Sequence, residues 1–345
     1  MLALPAPRGP LSEALIGMLA GASPRLGCPD LPADARADDD LQLSLYLCYA
    51  LHYGGIEGVP DEMEWSIPVL RCRAALETRF EISVRAAVQG AALDPGPRPG
   101  RPLARRLRDM IGRDADLGAD VAGHLARDGT LVEYREFLLH RSAYHLMEAD
   151  PFTWAIPRLD GAAKAALVQI QADEYGGGDP AWMHSQLFAD TMAELGLDPA
   201  AGPPLDRLPG TTLATTNLIS MFGLHRRLRG ALVGHLAVFE MTSCVPNRRY
   251  AEGLRRLGID GRATRFFDEH VEADAAHEAI AAHDLAGALV RDDPDLLEDV
   301  LFGAAAMLVT ERRAGERMLT SWQDGRSSLR ETRSIARPRP ALVER

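Results

Sequence analysis

At 345 residues, 46% of them apolar, the chain can bury a large core as one domain or two modest ones. Its formal net charge of −11 argues against a nucleic-acid partner, whose phosphates call for basic surfaces. No apolar run reaches the roughly eighteen residues needed to span a bilayer, so no membrane partner is expected.

The N-terminal segment MLALPAPRGPLSEAL lacks a basic stretch leading into an apolar one, so no secretion signal is expected. Cys28, Cys48, Cys72 and Cys244 are scattered and form no CxxC pair. They read as reduced thiols of a cytoplasmic protein, without zinc-site spacing.

Apolar residues recur with helical period along most of the chain, and strand-like alternation is nearly absent, so the fold class is all-α. The first helices are expected at 11–21, 40–53, 62–89 and 101–126. Between the last two, the run ALDPGPRPGRP (92–102) is too rich in proline and glycine for a helix or a central strand. It should join an N-terminal helical region, residues 1–125, to a main bundle over 126–322. Within that bundle helices are expected at 131–148, 161–175, 181–195, 211–221, 223–242, 247–257, 262–284 and 294–319. Thr130 and Asp160 stand at N-cap positions. From about Asp324 the chain turns polar, Arg-rich and proline-bearing, so residues 323–345 are expected to form a disordered tail.

One helical face stands out in the segment RFFDEHVEADAAHEAI. His270, Asp274 and His277 share it with Phe267, Val271 and Ala281, so three polar groups occupy what should be an apolar stripe. Burying an Asp between two His is costly without a partner, and a metal ion is the fitting one. Other helices must then complete the shell. Glu174 ends the helix AAKAALVQIQADE on a face with Leu167 and Ile170. His184 follows ten residues later and would point elsewhere on a straight helix. The break Gly176-Gly177-Gly178, with Asp179 as cap and Pro180 behind it, lets the two converge. Glu240 lies on a face with Val233, Leu236, Ala237 and Cys244, where a solvated carboxylate is out of place. Glu148 closes LVEYREFLLHRSAYHLME on a mixed face and has the least support from periodicity.

Each residue also has a plainer reading. A lone His on an apolar face is more often a satisfied core histidine, and a lone Glu near a helix end is usually solvated. On that ground His52, His124, His140, His145, His225, His235 and His283 are left as structural. Arg141, Tyr144, Trp182 and Phe188 neighbour the candidate ligands in sequence and are expected to pack. Carboxylate and histidine sets drawn from several helices are nevertheless how bundles build di-iron or di-manganese centres. Oxygen and imidazole donors without thiolates suit iron or manganese better than structural zinc.

The pieces YHLMEADPFTWAIPRL around Glu148, QADEYGGGDPAWMH with Glu174 and His184, and the His270-x3-Asp274-x2-His277 spacing resemble the haem-oxygenase-like diiron oxidases and oxygenases. The resemblance covers roughly residues 130–320. It implies a haem-oxygenase-like helical bundle, here with an additional N-terminal helical region, and a homodimer. It also implies a centre of two Fe (Fe2+/Fe3+) on Glu148, Glu174, His184, His270, Asp274 and His277. A subset resembling N-oxygenases adds a Glu on the preceding helix, where Glu240 stands in HLAVFEMTSCVPNRRY. The expected activity is thus O2-dependent oxidation of a small molecule's amine nitrogen to a hydroxylamine, and onward to nitroso or nitro, in the biosynthesis of a specialised metabolite. Electrons must come from an external donor, because no GxGxxG opens a helix after a strand. The competing expectations are a diiron oxidase that desaturates or cleaves C–C bonds of an amino or fatty acid, and a non-catalytic iron-binding protein.

Overall fold

In the computed structural model the described residues are 2–22, 32, 34–94, 96 and 100–331, the side chains of 273–275 excepted. Their regular structure is helical, apart from an isolated parallel bridge between Leu2 and Ile56. Among them no helix is long and apolar enough to cross a membrane.

The N-terminal part consists of α1 (Pro10–Leu19), α2 (Asp39–Ala50), α3 (Ile67–Ala91), α4 (Leu103–Ala115) and α5 (Val121–Arg127). The first is capped from outside itself: the Asp40 carboxylate accepts from the amides of Leu11 and Ser12 at 2.9 and 2.8 Å. The α2 N-terminus uses the adjacent Asp38, which accepts from the Leu41 amide at 2.7 Å. The helix expected over 101–126 is two helices, because Asp120 caps a new one by accepting from the Gly123 amide at 2.8 Å. The expected division near residue 125 falls inside α5. Leu41, Phe80 and Leu107 pack in the same apolar cluster as Leu167, Phe222 and Val300, so the N-terminal helices add a layer to a shared core.

The rest comprises α6 (Leu131–His145), a one-turn α7 (Asp150–Thr153), α8 (Gly161–Glu174), α9 (His184–Glu194), α10 (Gly210–Leu224) and α11 (Arg229–Arg256). Then come α12 (Arg265–Ala279), a π turn (Ile280–Leu285), α13 (Ala286–Asp292) and α14 (Leu297–Gln323). Thr130 starts α6 with a capping box: its hydroxyl accepts from the Glu133 amide at 3.2 Å, and its own amide donates to the Glu133 carboxylate at 2.7 Å. The two helices expected at 223–242 and 247–257 are the single α11, which runs through Pro246. Proline forfeits one backbone bond, and burial of α11 against α12 and α14 outweighs that loss.

The axes of α11 and α14 approach so closely that a side chain at the crossing has no room. A Cβ on Gly303 would collide with the Ala231 carbonyl, and one on Gly234 with that of Val300. Gly303→Ala is therefore expected to cost about 3 kcal/mol, near the upper end for overpacking. Urea denaturation would measure it, and a cost below about 0.5 kcal/mol would mean that the two helices part easily.

Part of the stretch expected as a disordered tail is held in place. Ser328 is fully buried and Leu329 is 5% exposed. The Glu136 carboxylate accepts from Trp322 Nε1 at 2.9 Å, the Ser328 amide at 2.8 Å and the Ser328 hydroxyl at 2.7 Å. His140 joins through Ser328 Oγ at 2.9 Å, and Arg330 Nε donates to Asp39 at 2.7 Å. A polar sequence here is held by buried polar partners, which composition does not reveal. Residues 332–345 lie outside the described residues.

Candidate metal centre

Four helices and one turn deliver buried carboxylates and imidazoles to one place. Glu174 is the last residue of α8, after which Gly176, Gly177 and Gly178 take φ of 69°, 59° and 95°. Such angles are open to glycine and strained for other residues. Gly176 also lies against the backbone of Trp182 and Met183, where a Cβ would clash. Asp179 then accepts from the Ala181 amide at 2.9 Å, and α9 begins at His184. This reversal brings His184 Nδ1 to 2.9 Å from Glu174 Oε2.

Glu148 differs from its expected position at a helix end. Helix α6 stops at His145, and Ala149 adopts φ 74°, which is uncommon without a glycine. The turn carries Glu148 into the core, where it is 4% exposed. Its Oε1 accepts from His145 Nδ1 at 2.8 Å and faces His270 Nε2 at 3.7 Å. His270 Nδ1 lies 2.8 Å from the Phe266 carbonyl, which can only accept, so that nitrogen carries the proton and the Nε2 lone pair is left for the cluster.

His277 is oriented by the same logic from the opposite nitrogen. Its Nε2 donates to Asp173 Oδ2 at 3.1 Å. Its Nδ1 faces Glu240 Oε2 at 3.5 Å and Glu174 Oε1 at 3.8 Å. Two overlapping donor groups result. Glu148, Glu174, His184 and His270 offer donor atoms all within 4.8 Å of one another, as do Glu174, Glu240 and His277. Glu174 belongs to both. Asp274 lies on α12, and its side chain is outside the described residues.

The electrostatics ask for positive charge. Burial alone would lower the His277 pKa, but Glu240, Asp173 and Glu174 outweigh it and push it up to about 9. Burial also opposes the charged form of His184, and Glu174 overcomes it to raise that pKa as well. Burial would raise Glu148, yet His145 and His270 hold it well below the usual carboxylate range. Glu148 Oε2 and His277 Nδ1 are buried without a hydrogen bond, and His184 Nδ1, though 2.9 Å from Glu174 Oε2, is poorly aligned for one. Buried polar atoms are seldom left so, and three such atoms converging among carboxylates suit a bound cation. Oxygen and imidazole donors without thiolate match iron or manganese.

His145, read from sequence as structural, touches this cluster, and so does Asp173, which the sequence reading did not single out. His145 bonds Glu148 three residues on, and Asp173 bonds His277 from beside Glu174. The i, i+3 spacing of His145 and Glu148 is the signal that could have shown the first; the second is a contact between helices and leaves no local mark. His235 stays apart among Phe152, Phe222 and Phe239. Trp182 is 41% exposed with Arg265 stacked on it at 3.8 Å, while Arg141 and Phe188 line a cavity beside His270.

The family described as "Iron-containing redox enzyme" matches residues 135–312, just over half of the chain. A nitrosourea synthase of Streptomyces achromogenes subsp. streptozoticus is 27% identical over 161 residues. That stretch is 47% of this chain and 34% of the relative, so the chain spans about a third of the length of the curated protein it matches. The bundle is all-α and haem-oxygenase-like, as the sequence resemblance implies. With the matched span holding every residue of the two donor groups, the chain belongs to the iron-containing redox enzyme family.

Proposed function

We propose that the chain is a non-haem diiron oxygenase that uses O2 to oxidise an amine nitrogen of a small molecule to the hydroxylamine, and onward to nitroso or nitro. The observation that carries this reading is the pair of donor groups sharing Glu174. One iron would rest on Glu148, His184 and His270, the other on Glu240 and His277, with Glu174 between them. Asp274, four residues after His270 and three before His277, would be the seventh ligand on the ground of that helical spacing. When bound, the two irons supply the redox equivalents that activate O2. Forming a hydroxylamine from an amine and O2 takes two electrons and two protons and releases water, so an external electron donor is part of the scheme.

The chain's own residues orient and shield. His145 and Asp173 fix Glu148 and His277 through single hydrogen bonds. Phe266 lies 4.4 Å from the His270 ring and 5.2 Å from that of His145, and Phe188 lies 5.0 Å from His145. These rings give that side of the cluster an apolar wall. Glu240 supports nitrogen as the target, since it adds a carboxylate beyond the six ligands of the wider resemblance. The relative's name points the same way, because a nitrosourea carries an oxidised nitrogen. A cytoplasmic homodimer making a specialised metabolite belongs to the same reading.

The test is an anaerobic Fe(II) titration followed by isotopically labelled O2 with a panel of amines. Wild type is expected to take about two irons per chain and to place the label on nitrogen. Glu240→Ala is expected to take about one. Failure of the wild type to bind iron would end the diiron reading, and a Glu240→Ala variant that still takes two would remove the ground for nitrogen as the target.

A further inference from the structure

A cavity of about 490 Å3 reaches the metal centre at His145 and His270. That end is lined by the rings of Phe188, Phe239 and Phe266. Its wall also carries three ion pairs, Arg249 with Asp120, Arg312 with Asp114, and Arg141 with Glu311, the last joined by a bond of 2.8 Å from Nη1 to Oε2. Both side chains of that last pair keep some exposure, 27% and 24%. Arg141 stands one helical turn before His145 on α6, about 6 Å along the axis. An ion pair placed along a mostly apolar cavity is a poor stabiliser, because desolvation offsets its attraction. Its chemistry is better suited to selecting what enters.

We propose that Arg141 and Glu311 are the specificity-determining pair of this cavity, taking the carboxylate and the ammonium of a small zwitterion. A zwitterion laid antiparallel to the pair sets each charge against its opposite, so four charges alternate and the complex stays neutral. A ligand with the ammonium alone would bring its charge beside Arg141, and one with the carboxylate alone would bring its charge beside Glu311. The Arg141 guanidinium is a planar fork suited to a carboxylate, and its position over the Phe137 ring, 5.7 Å from the centroid, helps hold the fork in place. With the charged head held there, the rest of the ligand runs between the phenylalanines toward His145 and His270, so the nitrogen to be oxidised is a second one at its far end. This inference rests on the metal reading of the site, and its test is built to fail separately from it.

Three probes share one aliphatic tail: L-norleucine is the zwitterion, pentylamine lacks the carboxylate, and hexanoate lacks the amine. Calorimetric binding to the metal-free protein is expected to show norleucine at least about tenfold tighter than either partner. Arg141→Met and Glu311→Gln are expected to erase that preference, and the exchange Arg141→Glu with Glu311→Arg to recover part of it. A purely structural role would weaken all three ligands alike, so the ratio is the readout. Glu311→Gln keeps an acceptor for Arg141 and decides the matter if Arg141→Met melts early by circular dichroism. Equal binding of the three probes to wild type, or an unchanged norleucine preference in Glu311→Gln, would overturn the proposal. Iron uptake by the same variants, expected unchanged, reports on the metal reading independently.

Discussion

Glu174→Ala is expected to remove both metals together and to lower turnover by at least about 100-fold, whereas Glu148→Ala and Glu240→Ala each loosen one. The reason is the geometry: Glu174 Oε2 lies 2.9 Å from His184 and Oε1 lies 3.8 Å from His277, so its two oxygens face different donor groups. No other described residue belongs to both groups. Metal analysis after anaerobic loading checks the claim, and thermal unfolding gives a second view of it. A ligand present at a hundred times its dissociation constant stabilises the folded state by about 2.7 kcal/mol. Iron should therefore raise the melting temperature of wild type and leave that of Glu174→Ala where it was. A variant that retains about two irons would show that the two groups do not depend on a shared carboxylate.

The second large effect is structural and lies away from the metal. Glu136→Ala is expected to cost about 3–5 kcal/mol, because it strands Trp322 Nε1 and both donors of Ser328 in the interior. Burial by itself would raise the Glu136 pKa, but the bonds from Ser327, Ser328 and Trp322 lower it below the ordinary glutamate value. The native state thus binds its proton less readily than the unfolded one. The stabilisation is fully present above the unfolded value of about 4.3 and fades as pH falls through the folded value. Urea melts of wild type and variant at neutral pH and near pH 3 should show the gap between them narrowing in acid. A gap that is small at neutral pH, or that widens in acid, would mean that the carboxylate is not what holds the C-terminal segment.

The parts of this architecture written in local pattern are readable from sequence. The stripe of His270 and His277 follows from helical spacing, and the convergence of Glu174 with His184 from three consecutive glycines. The features that escape such a reading depend on contacts distant in sequence or on a conformation the side chains do not advertise. Glu136 and Ser328 are 192 positions apart, and the segment holding Ser328 has the composition of a loose tail. Ala149 takes its unusual φ where only tertiary packing can hold it, so Glu148 has the sequence signature of a helix end and is the arm of a turn. Pro246 reads as a break, yet α11 continues because its neighbours bury it. The partners of the site, His145 and Asp173, are legible only in part. The first is coupled by spacing within its own chain segment, and the second by one hydrogen bond reaching from α8 to α12.

The π turn at Ile280–Leu285 separates two phases of one rod. Its bonds span five residues where an α-helix spans four, so it takes up an extra residue and rotates α13 by about 100° relative to α12. Before it, the phase is dictated by the histidines that must face Glu148, Glu174 and Glu240. After it, the phase is dictated by Ala286 and Leu289, which must face the apolar core. A straight helix would have to satisfy both demands with one periodicity. The wide turn acts as a clutch between them, so the side that binds and the side that packs can each accept substitutions without throwing the other out of register.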